Sequence, residues 1–61
     1  MRHSGEEYGY LISGNLTLQL GFAEHHLVPG DSVCFSSATP HGYRNDGDTP
    51  AVGVWIVLDQ G

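Results

Sequence analysis

Apolar residues recur along this chain mostly at a spacing of two, and no window sustains a helical period. The clearest case is Leu16, Leu18 and Leu20, alternating with Asn15, Thr17 and Gln19. Successive side chains of a strand point to opposite faces, so this segment reads as half-buried β. Before it, YGYLI spans about residues 8–12 and stops at Gly14-Asn15. After Gly21, AEHHLV makes a third strand, ended by the turn signal Pro29-Gly30. SVCF is a fourth and runs into the loop SSATP; HGYRN is a short fifth. DGDTP turns the chain, and AVGVWIVL closes as a longer apolar strand. About six short strands joined by polar Gly/Pro turns predict an all-β, antiparallel sandwich or small barrel. Residues 1–61 read as one domain.

The final strand is apolar at both parities from Val54 to Leu58, so both its faces are expected to be covered. That is much apolar surface for 61 residues, and a homodimer or a further part of the domain would cover it. Open sheet edges point the same way.

Charge acts mainly by exclusion. Seven acidic residues against two basic ones give a net charge of −5. Neutralising nucleic-acid phosphates takes a basic patch, so this segment is not expected to touch DNA or RNA. MRHSGEEYGY has no apolar run of a signal peptide, and no stretch approaches the roughly 20 apolar residues of a membrane span. The expected setting is the cytoplasm, with no membrane partner.

The candidate chemistry lies in HSGEE and ATPHGYRN. Two imidazoles and a carboxylate suit a facial site for iron(II), manganese, nickel or zinc, with positions open to water or substrate. His3 and Glu7 are four apart, which in an extended strand is about 13 Å, so a shared ion requires a bend, expected at Ser4-Gly5. His41 follows Pro40 at the start of a distant strand. Spacing alone leaves Glu6 open as a substitute for Glu7.

The wording of both segments resembles the cupin superfamily. HSGEEYGYLISG is similar to the family's first motif, with His3 as its second histidine, Glu7 as its glutamate and Gly14 as its glycine. PGDSVCFSSATPHGYRN is similar to the second, with Pro29, Gly30 and Asp31 at its turn and Pro40, His41 and Asn45 in its histidine segment. The resemblance implies a small jelly-roll barrel, incomplete at the N-terminus, and a divalent metal (Fe, Mn, Ni or Zn) held by His3, Glu7 and His41. It comes nearest to the compact C-terminal cupin domains of bacterial helix-turn-helix regulators. That implies a metal-binding module that senses a small molecule for a transcriptional regulator. The alternative is a metal-dependent oxygenase, an epoxidase-like oxidase or an isomerase, so the sequence leaves enzyme against sensor open.

Tyr43 shares the parity of His41 if the strand is regular, and is expected either to line the pocket and offer its hydroxyl to a ligand or to pack in the core. Arg44 has the opposite parity and reads as a rim residue. His25 and His26 are adjacent, so they point to opposite faces of a strand and read as surface residues. Cys34, the only cysteine, excludes an intrachain disulfide and, between Val33 and Phe35, reads as a buried free thiol. Tyr8, Tyr10, Leu11, Phe22, Phe35 and Trp55 are assigned to core or interface, and Asp31 to a turn. No Ser-His-acid ordering and no glycine-rich phosphate loop is present.

Overall fold

The computed structural model describes residues 4–60. Six strands follow in order: β1 Ser4–Ser13, β2 Leu16–Leu20, β3 Ala23–Leu27, β4 Ser32–Ser36, β5 His41–Arg44 and β6 Val52–Gln60. Each expected strand is present. β1 starts earlier than its apolar pattern because the polar segment Ser4–Glu7 is held by a ladder: Ser4 pairs with Gln60, Gly5 with Asp59, Glu6 with Leu58 and Glu7 with Val57. The bend expected at Ser4-Gly5 is therefore not formed.

The strands make two antiparallel three-stranded sheets, ordered β4-β1-β6 and β3-β2-β5. The expected jelly-roll barrel is thus corrected to an open pair of sheets. No ladder joins β3 to β4 or β5 to β6, although each pair is consecutive in the chain. A ladder needs backbones about 4.8 Å apart, whereas two sheets facing each other stand about 10 Å apart, with side chains between them. Here His41 and Tyr43 of one sheet meet Glu7 and Trp55 of the other, and these side chains hold the backbones beyond ladder distance.

Local turns place the strands. Asp31 N–H donates to the Val28 carbonyl (3.0 Å) across Pro29-Gly30, and Gly30 has φ +95°, as the third residue of a type II turn requires. The Asp31 carboxylate accepts from Val28 N–H (2.9 Å), which is the turn role read from sequence. The turn is tied to β1 by Leu11 N–H to the Asp31 carbonyl and by Gly30 N–H to the Leu11 carbonyl.

Between the sheets lies a small core of Leu11, Leu18, Leu27 and Phe35, flanked by Leu16, Leu20, Val33 and Ala51. Cross-strand pairing puts Gly5, Glu7, Gly9 and Leu11 of β1 on the inner face and Glu6, Tyr8, Tyr10 and Ile12 on the outer face. Other expectations fail for want of a covering layer. Cys34 is exposed because it pairs with Tyr8 on the outer face. Tyr8, Tyr10 and Phe22 are exposed rather than core. β6 is bare on its outer face, with Val54, Ile56 and Leu58 exposed, and only partly covered on its inner face, where Val57 is exposed and Trp55 is half-buried. Among the described residues there is no helix long and apolar enough to cross a membrane.

Candidate functional site

Glu7 is the centre of the site. It lies mid-strand in β1, on the inner face between Phe35 of β4 and Val57 of β6, and is only 6 % exposed. A carboxylate so enclosed needs partners. They come from the opposite sheet, where His41 and Tyr43 share the inner face of β5 through their pairing with Leu20 and Leu18. Parity thus joins His41 and Tyr43 as expected, and the register selects Glu7 over the outward-facing Glu6.

The Tyr43 hydroxyl donates to Glu7 Oε2 and accepts from Trp55 Nε1–H (2.8 Å). Burial, then donation to Glu7, pushes the Tyr43 phenol up to about 12, against a partial opposing effect from the Trp55 donor. At neutral pH it is therefore a hydrogen-bond donor and not a base or nucleophile.

His41 has a defined orientation. Its Nδ1 lies 2.8 Å from the Thr39 carbonyl, so that nitrogen carries the proton of the neutral ring. Nε2 faces Glu7 Oε1, 3.4 Å away, and forms an ion pair with it when the ring carries a second proton. Two acceptors facing one another are satisfied by a proton on Nε2 or by a positive or donating group brought to both. Phe35 supports the imidazole edge-on, with ring centroids 5.0 Å apart.

Trp55 is the site residue that sequence reasoning assigned only to core or interface. It pairs with Gly9 across β1 and β6, and a Cβ at Gly9 would overlap its indole ring. Gly53, two residues earlier on the same face, leaves room for the other end of the ring. A glycine inside a strand marks close approach, so Gly9 within YGY was the available signal. Trp55, Tyr43, Leu11, Leu16, Ala51 and Gly53 line a cleft of about 200 Å³ at the β5/β6 seam. A larger open cleft of about 550 Å³ lies at the β3/β4 seam, bordered by His25, Glu24 and Cys34.

The expected metal centre finds no supporting site among the described residues. No group of three His, Cys, Asp or Glu side chains converges there. Glu7 and His41 meet, His3 lies outside the described residues, and the bend invoked to bring residues 3 and 7 together is replaced by strand. His25 and His26 are both exposed, on opposite faces of β3, as expected. Arg44 is a surface residue that pairs with Glu24 (3.1 Å) and Asp46 (2.8 Å). It is the only strongly basic side chain among the described residues, and it does not pair with Glu7.

Comparison with known proteins gives the family of the chain. The family described as "Cupin domain" matches residues 1–57. The chain is 33 % identical over 45 residues to the HTH-type transcriptional regulator PuuR of Escherichia coli (strain K12), and equally to that of Shigella flexneri. Each alignment covers 74 % of this chain and 24 % of the relative, so the chain spans about a quarter of the length of these curated relatives. No solved structure matches. With a family match over nearly its whole length, this chain belongs to the cupin domain family.

Proposed function

We propose that this domain is the small-molecule-binding part of a transcriptional regulator, with its ligand seated at Glu7, His41, Tyr43 and Trp55. The observation that carries the ligand site is the approach of His41 Nε2 to the buried carboxylate of Glu7 (3.4 Å to Oε1), beside a small aromatic-walled cleft. A group that donates hydrogen bonds or carries positive charge satisfies both acceptors, and an apolar body fills the cleft against Trp55. Tyr43 holds the second carboxylate oxygen and fixes its direction. The regulator reading is supported by likeness to two proteins named as HTH-type transcriptional regulators. It requires a DNA-binding domain elsewhere in the full-length protein and places that protein in the cytoplasm.

Titration followed by Trp55 fluorescence tests the site, with butylamine, butanol and butyrate as probes. Butylamine is expected to bind best and butyrate not at all, and Glu7→Gln is expected to abolish the preference. Equal response to all three, or a preference unchanged in Glu7→Gln, refutes it. A complete gene product lacking a helix-turn-helix refutes the regulator reading.

The same acceptor pair favours one second reading, a divalent transition metal on Glu7 and His41. It would supply Lewis-acid chemistry. Metal content of the purified protein beside His41→Ala tests this: loss in the variant supports it, and equal content sinks it.

A further inference from the structure

The two oxygens of the Glu7 carboxylate have different surroundings. Oε2 accepts the Tyr43 hydroxyl, and Oε1 faces His41 Nε2. The hydroxyl is held in that direction. Its oxygen accepts from Trp55 Nε1–H (2.8 Å), so its own hydrogen goes to Glu7. The rings are held as well. Phe35, His41, Tyr43 and Trp55 meet edge to face in succession, with centroids 5.0, 6.2 and 5.6 Å apart. Trp55 lies over Gly9 and Gly53, where a Cβ would overlap its indole. Glu7 is buried, so the phenol closes off Oε2 and an incoming group meets the carboxylate at Oε1.

That asymmetry separates two classes of cationic head group. A guanidinium or amidinium is a flat fork, and it binds a carboxylate best with one of two parallel N–H groups on each oxygen. The fork needs both Oε1 and Oε2, and Tyr43 stands at the second. An alkylammonium is a compact charge with three donors on one atom. One N–H reaches Oε1 and another reaches His41 Nε2, because acceptors 3.4 Å apart lie within the span of one nitrogen making two hydrogen bonds of ordinary length. A fork in the same place makes one bond to Glu7 and leaves further donors unpaired in an enclosed site, which is costly. The net charge of −5 attracts both head groups alike, so selection falls to this local geometry.

We infer that Tyr43 is the specificity-determining residue of this site: by occupying Glu7 Oε2 it admits a compact ammonium group and rejects a planar guanidinium or amidinium. The inference rests on the ligand site proposed above. It adds the class of head group and the residue that sets it. Trp55 acts through Tyr43, as the positioning residue that aims the hydroxyl.

Butylamine and butylguanidine carry the same chain and the same charge and differ in the head group, so NMR titration of the 61-residue chain with each is the test. The ratio of the two dissociation constants is the readout. A merely structural role for Tyr43 weakens both ligands together and leaves that ratio alone. Wild type is expected to bind butylamine at least about 10-fold more tightly, and Tyr43→Phe to lower the ratio by at least about 10-fold, the equivalent of one charge-assisted hydrogen bond. The change should come chiefly from tighter binding of butylguanidine, whose fork then reaches both oxygens. Trp55→Phe removes the N–H that aims the hydroxyl and should lower the ratio part way, by about 3-fold; it carries the test if Tyr43→Phe does not fold. A ratio equal to that of wild type in the folded variants overturns the inference alone, provided that Glu7→Gln has lost butylamine. Absence of butylamine binding, or binding undiminished in Glu7→Gln, overturns the ligand site and this inference with it.

Discussion

Tyr43→Phe isolates the link between the two sheets. The substitution keeps the ring against Trp55 and deletes one oxygen, which now donates to Glu7 and accepts from Trp55 Nε1–H. A hydrogen bond to a charged group contributes about 1.5–3 kcal/mol to stability. Tyr43 is 40 % exposed, so water partly replaces the lost donor, and about 1–2 kcal/mol of destabilisation is expected. For a chain of this size that lowers Tm by about 5–15 °C. Urea unfolding followed by the single tryptophan gives the value directly, since the Trp55 and Tyr43 ring centroids are 5.6 Å apart. The same pair of proteins has a pH signature. The Tyr43 phenol is raised from 10.0 to about 12 in the folded chain, chiefly by burial and then by Glu7. The folded state therefore holds this proton more tightly. The stabilisation is complete below pH 10 and is lost as pH rises toward 12, by about 1 kcal/mol after allowing for solvent screening. Tyr8 titrates in the same range, so the difference between wild type and variant is what reports Tyr43. A destabilisation below about 0.3 kcal/mol, or equal alkaline loss in both proteins, refutes the reasoning.

Gly9→Ala should destabilise by about 1–3 kcal/mol and shift Trp55 emission, because the new methyl group displaces the indole from β1; unchanged emission would contradict this packing. Gly14→Ala should cost at least about 1 kcal/mol in urea unfolding, since φ is +81° and the new Cβ would stand 2.5 Å from the Pro50 carbonyl oxygen. Gly21→Asn is the control, within about 0.5 kcal/mol, because φ +60° suits Asn and nothing lies within 4 Å. Arg44→Ala should leave the urea midpoint nearly unchanged, and the small difference should vanish at high salt, because both its ion pairs are solvent-exposed.

Much of the site was legible in the chain. Alternation placed His41 and Tyr43 on one face of a short strand, and the motif containing GEE marked Glu7. The register with Phe35 and Val57 was needed to turn Glu7 inward and Glu6 outward. Trp55 was not legible as a site residue because an apolar strand gives every position the same appearance. Only its pairing with Gly9 shows why the indole reaches Tyr43. Cys34 misled for a related reason: apolar neighbours signal burial only when both faces of the strand are covered, and here one is bare.

The sequence by itself determined the strands and their turns, because period-two patterning and Pro-Gly chemistry act over a few residues. It also determined the acidic surface and the residue types available to the site. Tertiary structure alone decided which strands pair, and so that the sheets stay open rather than closing into a barrel. It also decided that Glu7, His41, Tyr43 and Trp55 meet across the gap. These outcomes depend on contacts between residues far apart in the chain, such as Glu7 and Tyr43, 36 positions apart. Local patterning carries no information on such distances; packing of side chains between the layers sets them.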